Sequence, residues 1–160
     1  MTPAFFAAAC WVLRHEGLGS DDPADPGGPT RFGVAQRHHP GLDVRRLTLD
    51  AALDVYWRDY WRVLDLDRFP ASVGAKLLDM AVQFGPGTAA RLLQQALVTL
   101  GHVLAVDGVL GTGTLAAARA VPSDVLIAAL CGHMYVAYAA RPQPRFMHGW
   151  VRRAAERPDA

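Results

Sequence analysis

Glu16 is followed by Asp21, Asp22 and Asp25 in a segment crowded with glycine and proline that runs from His15 to Gly33. Carboxylates grouped in this way can do acid–base work on a glycosidic bond. One must stay protonated to donate to the leaving oxygen. Another must stay ionised to activate water or to stabilise oxocarbenium-like charge. Such a pair needs surroundings that separate the two acidities. Glu16 closes an apolar run, at a helix end where the dipole disfavours negative charge, so it is the expected proton donor. Asp25 sits on a polar loop rich in backbone N–H groups and is the expected ionised partner. The same residues also read as ordinary helix-ending and turn chemistry. Spacing alone leaves both readings open.

The elements that must hold these groups are helical. Thr2 and Pro3 start a helix over Pro3 to His15 that is apolar nearly all round and is therefore expected to be buried. Gly17 ends it. Gly17 to Gly33, with Pro23, Pro26 and Pro29, cannot continue a helix, and a loop this long in a compact domain tends to be functional. Thr48 or Asp50 caps a helix to about Val63. Pro70 opens the next, with Val73, Leu77, Met80, Ala81 and Phe84 as its stripe and Gly85-Pro86-Gly87 as its stop. Further helices are expected over Thr88 to Leu100, from Thr112 or Thr114 to Ala120, from Pro122 or Ser123 to about Ala140, and from Phe146 to Glu156. Asp107-Gly108 and Gly111-Thr112-Gly113 read as turns. The expected fold class is all-α, with at most a small hairpin in the Gly/Pro loop.

The motif stretch is similar to the signature of glycoside hydrolase family 108, which reads Glu-Gly-Gly-Tyr, Asp-Pro, a second Asp, Gly-Gly, Thr and Gly-Ile. The matching positions are Glu16, Gly17, Asp22-Pro23, Asp25, Gly27-Gly28, Thr30 and Gly33-Val34. The run from Glu16 through Asp25 to Thr30 also resembles the Glu–Asp–Thr triad of phage lysozymes, one residue short at the last step. The likeness continues through Asp79 to Gly87, Leu93 to Leu97, Asp107 to Gly111 with Thr114, and Phe146 to Arg152, and covers about residues 5 to 153. Leu18 and Gly19 replace the family's second Gly and Tyr, Arg31 its Asn after Thr, and Gln83 its Asn before Phe84. The first replacement bears on loop conformation, since Leu resists positive φ where Gly does not. None removes a carboxylate.

The resemblance implies a lysozyme-like, two-lobed helical fold. It implies an N-acetylmuramidase that cuts the β-1,4 bond between N-acetylmuramic acid and N-acetylglucosamine in peptidoglycan. Glu16 is then the catalytic acid, with Asp25 and Thr30 in the cleft. Asp22, Arg31, Gln36, Trp57, Trp61 and Gln83 are the candidate substrate contacts. Residues 1–68 are expected to form the catalytic lobe and 69–160 a helical peptidoglycan-binding lobe, in one compact unit. The implied partners are glycan strands, with holin or secretion machinery for export.

Trp57 and Trp61 are candidates for stacking on sugar rings, with core packing as the alternative, whereas Tyr56 and Tyr60 are expected in the core. No cofactor is expected. His38-His39 with Asp22, Asp25 or His15 raise the question of a metal amidase, but no zinc motif such as His-Glu-x-x-His is present. His102, His133 and His148 read as surface or satisfied core histidines. Cys10 and Cys131 lie in apolar runs and are expected to be buried, reduced thiols.

The 160 residues are 51% hydrophobic and 19% charged, which favours a filled core over disorder. Net charge is +1, too balanced for a dedicated nucleic-acid binder. Arg141, Arg145, Arg152, Arg153 and Arg157 crowd the C-terminus. They read mainly as a solvated helix face, with attraction to an anionic polymer as the sharper reading. Ala4 to Leu13 lacks the basic start and small-residue cleavage site of a signal peptide, and no apolar run suits a membrane span. The expectation is a monomer made in the cytoplasm without a classical export signal, acting in the periplasm or cell wall. The rival reading from another class is a non-catalytic peptidoglycan-binding or scaffold protein on the same fold.

Overall fold

The computed structural model describes residues 1–16, 19, 28–141 and 146–158. Helices dominate: α1 (Pro3–Glu16), α2 (Leu49–Val55), α3 (Ala71–Phe84), α4 (Pro86–Thr99), α5 (Thr112–Ala120), α6 (Ser123–Ala139) and α7 (Met147–Ala155). The only strands among the described residues are β1 (Thr30–Arg31) and β2 (Val34–Ala35), an antiparallel hairpin with Thr30 opposite Ala35. The all-α expectation, with one small hairpin, holds.

Local chemistry sets the boundaries. Thr2 Oγ1 accepts from Phe5 N–H and starts α1. Thr48 Oγ1 accepts from Ala51 N–H and caps α2. Gly85, at φ +84°, takes the left-handed turn between α3 and α4. Pro86 then opens α4 at a position that needs no N–H donor, so the helix begins two residues earlier than the sequence suggested.

The helix after Thr48 does not run regularly to Val63. It widens over Tyr56–Trp61 into a π-helical turn, in which Arg62 N–H bonds Trp57 O at 2.9 Å. A widened turn shifts every later side chain around the axis, and such turns cluster at functional sites.

α3 is the core element, buried along Ser72 to Ala81 and packed between α1, α4 and α6. Its two central charges are fully buried: Lys76 and Asp79 both have 0% exposure. Lys76 Nζ donates to the carbonyls of Arg153, Ala154 and Glu156, at 3.3, 3.3 and 2.9 Å. It therefore caps the C-terminal end of α7, where a cation complements the helix dipole, and ties that helix to α3.

The turn after α4 is fixed by Gln94, whose amide donates to Asp107 Oδ1 and Val109 O while its Oε1 accepts from Gly108 N–H.

One expectation about burial fails. α1 turns Phe5, Ala8, Ala9, Trp11 and Val12 inward and leaves Phe6 and Cys10 at the surface. Cys10 is an exposed thiol and Cys131 is half-buried. A helix apolar on all sides carries no pattern to say which face is inside. No single helix among the described residues is long and apolar enough to cross a membrane.

Candidate active site

Glu16 is the last residue of α1, and its side chain is half-buried against the hairpin turn. Gly33, at φ +74°, makes that approach possible. A Cβ there would lie 2.8 Å from Glu16 Cδ and 2.6 Å from the Tyr56 hydroxyl. Tyr56 in turn donates to Phe32 O at 2.8 Å, which pins the turn over the carboxylate. Burial and then the neighbouring Glu16 charge push the Tyr56 phenol well above its ordinary range, so it stays a neutral donor.

Two groups grip the same oxygen of Glu16. Gln83 Nε2 donates to Oε1 at 2.9 Å, and Arg153 Nη2 stands 2.5 Å from it. Oε2 has no donor among the described residues. Gln83 is itself held: Tyr138 donates to its Oε1 at 3.3 Å, and Arg141 donates to its backbone oxygen at 2.8 Å.

Arg153 is shared. Its Nε and Nη2 lie 2.7 and 2.6 Å from Asp79 Oδ1, and Lys76 Nζ lies 3.6 Å from Asp79 Oδ2. Burial works against the guanidinium charge, but Asp79 and then Glu16 outweigh it and keep Arg153 firmly cationic. The guanidinium charge is thus matched first by the buried Asp79.

Two cavities flank this centre. One, of about 500 Å³, is bounded by Gly33, Tyr60, Gln83, His39, Asp59 and Arg141. The other, of about 720 Å³, is bounded by Glu16, Gln83, His15, Trp150, Arg153 and Glu156. Gln83 belongs to both, and Glu16, bonded to Gln83, borders the second. In the first cavity Arg58 grips Asp59 with two bonds and holds its carboxyl below the usual range, with His39 at 3.6 Å. Burial, with a smaller push from Asp59, raises the Tyr60 phenol to about 12.

Of the residues singled out from the sequence, the structure brings Glu16 and Gln83 together. Asp22 and Asp25 lie outside the described residues. Thr30 begins β1 beside the turn, its hydroxyl bonded to Gly28 O at 3.4 Å. Arg31 is committed to Arg45 O at 2.8 Å and stacks over Phe32, so it braces the hairpin. Gln36 is likewise occupied: its amide bonds His39 O, Leu42 O and Val44 N–H and closes the 36–44 loop.

Trp57 and Trp61 do not reach the cavities. Both pack edge-on against Phe5, and Trp61 is only 1% exposed. Tyr60 lines the groove instead, because the π turn rotates the aromatic register. Gly19 takes φ +143° with a Cβ position 2.7 Å from Thr30 O, so the glycine after Leu18 supplies the close approach to the hairpin.

Arg153, Asp79, Tyr138 and Tyr60 were missed as site residues. Asp79 and Lys76 carried a signal: two charges three apart inside an otherwise apolar helix stripe. Among the described residues, no three His, Cys, Asp or Glu side chains are grouped so that they could hold a metal ion.

The profile described as Glycosyl hydrolase 108 matches residues 9–85, and the profile described as Predicted Peptidoglycan domain matches 88–155. The solved structure titled "Structure of Brucella abortus SagA" is 31% identical, with a TM-score of 0.82 over 94% of this chain and 89% of that one. The chain belongs to the glycosyl hydrolase 108 family. No curated protein matches it significantly. Family membership and the second module support a role in hydrolysing or binding peptidoglycan. Within this family member, the Arg153 that grips Glu16 comes from the second matched region.

Proposed function

We propose that this chain is a peptidoglycan muramidase that hydrolyses the β-1,4 bond between N-acetylmuramic acid and N-acetylglucosamine. The observation that carries the reading is Glu16 itself. Its carboxyl borders an open cavity and is bonded to Gln83, which lines that cavity and its neighbour, with Gln83 and the Arg153 guanidinium both on Oε1 and no donor on Oε2 among the described residues. A proton carried on Oε2 can pass to a glycosidic oxygen lying in that cavity, while Gln83 and Arg153 fix the direction of the group. Asp25 is the proposed ionised partner and Thr30 a cleft residue. Action at the cell wall follows from the substrate, and export with holin or secretion machinery belongs to the same proposal.

One observation favours a second reading. A 2.5 Å ion pair to arginine is also what a purely structural carboxylate makes, as a wall-binding protein without activity would have. Loss of turbidity of purified cell walls separates the two. The muramidase lyses walls and frees new reducing ends, and Glu16→Gln abolishes both. A wild type that pellets with walls and releases nothing sinks the hydrolase reading.

A further inference from the structure

We infer that the cavity bounded by Gln83, Tyr60 and Arg141 is an anion subsite in which Arg37 and Arg141 take a carboxylate of a peptidoglycan peptide stem. The inference rests on the cell wall being the substrate and names the part of it that this end of the groove reads.

Arg141 is built in rather than dangling. Its guanidinium carbon lies 4.5 Å from the Phe84 ring centre and 5.3 Å from those of Tyr138 and Trp150. The Tyr138 and Trp150 rings are themselves stacked face to face, with centres 5.3 Å apart and planes within 10°, which makes a fixed aromatic wall. One bond from Nη2 to Gln83 O sets the orientation of the group. Among the described residues the rest of its five-donor fork makes no further hydrogen bond and borders the cavity. A guanidinium stacked and anchored in this way loses little freedom when it binds, and its planar fork suits a carboxylate.

Arg37 lines the same cavity, and its charge opposes that of Arg141, whose partial burial already disfavours the cation. Two like charges facing one space are stabilised by an anion between them. Among the described residues none is available, because Asp59 is taken by Arg58 and His39. Gly85 and Pro86 close the wall with the first turn of α4, which no side chain caps, so the local field has the same sign.

Carboxylate and phosphate both answer this chemistry, and the wall can offer either, as stem carboxylates or as phosphate of attached polymers. The test uses the full chain carrying Glu16→Gln and isothermal titration with soluble disaccharide-peptide fragments. One fragment set has free carboxylates and the other has them amidated. The free form is expected to bind about tenfold more tightly, the scale of a lost charge-assisted hydrogen bond. Adding Arg37→Gln or Arg141→Gln should bring the two forms together, whereas Arg119→Gln, which removes a charge on α5, should keep the preference. Arg37 is exposed, so its variant cannot be explained by unfolding. Equal binding of the two forms, or a preference that survives both variants, overturns the inference. So does a preference seen only for walls that keep their phosphate polymers. The muramidase reading fails separately: a wild type that lyses nothing sinks it, while a carboxylate preference in the titration still supports the subsite.

Discussion

Arg153 on the last helix places Nη2 2.5 Å from Oε1 of Glu16 at the end of the first. The candidate acid is therefore completed by the other end of the chain. Lys76 holds that arrangement by tying the end of α7 to α3. The simplest consequence concerns Glu16. Gln at this position keeps an Oε1 that accepts from Gln83 and faces the Arg153 guanidinium, but it cannot release a proton. Glu16→Gln is expected to lower wall lysis by at least about a hundredfold, with its thermal midpoint close to that of the wild type. A large fall in the midpoint would show that the residue is structural.

Asp79 tests the support beneath the acid. It is fully buried between Lys76 and Arg153, and no water can replace it there. Asp79→Asn leaves two cations short of a counter-charge and is expected to cost about 3–5 kcal/mol in urea unfolding. Arg153→Lys should be milder in stability and severe in activity. A single ammonium cannot reproduce the fork that contacts Asp79 and Glu16 together. Unchanged lysis by Arg153→Lys would count against any positioning role.

Gly33 is required by contact as well as by conformation. Ala at φ +74° is strained, and its Cβ would meet Glu16 and Tyr56 at 2.8 and 2.6 Å. Gly33→Ala should destabilise by about 1–3 kcal/mol. It should also cut activity by more than that loss explains, because the group displaced is the carboxyl itself. Comparing kcat at a temperature where both proteins are fully folded isolates the second effect.

The helices were legible because their signals are local. Thr48 caps α2, Gly85 and Pro86 punctuate the chain, and Val73, Leu77, Met80 and Ala81 repeat with the helical period. The site was half legible. Glu16 and Gln83 stand out through motif resemblance, and Gly33 through its type. Arg153 did not, since an arginine among many at a basic C-terminus looks like any solvated charge until the chain folds back on itself. Tyr60 was exchanged for Trp57 and Trp61 because a helical wheel assumes regular turns, and the π turn at Tyr56–Trp61 breaks that assumption. Cys10 was misplaced because uniform hydrophobicity gives a helix no preferred inner face.

The exchange of aromatics makes its own prediction. Trp61→Ala should behave as a core deletion, costing about 3–5 kcal/mol with little change in KM for the protein that remains folded. Tyr60→Ala should cost less stability than Trp61→Ala, because the ring is only partly buried, and should raise KM, since it lines the cavity. The opposite pattern would restore the tryptophans to the groove.

Stability below neutral pH should fall through histidine. Burial holds His39 below its ordinary value of 6.5, with Asp59 only partly offsetting it, and burial does the same to His133. The unfolded chain takes up these protons near pH 6.5, while the folded one resists until lower pH. The stabilisation is therefore complete above about pH 6.5 and is lost as the pH falls from there towards the folded-state values. Urea midpoints should decline between pH 7.5 and 5.5, a window above the range in which most carboxylates titrate. His39→Asn combined with His133→Asn should flatten that decline, even where it lowers the midpoint at pH 7.5. A decline of the same steepness in the double variant would assign the protons to other groups.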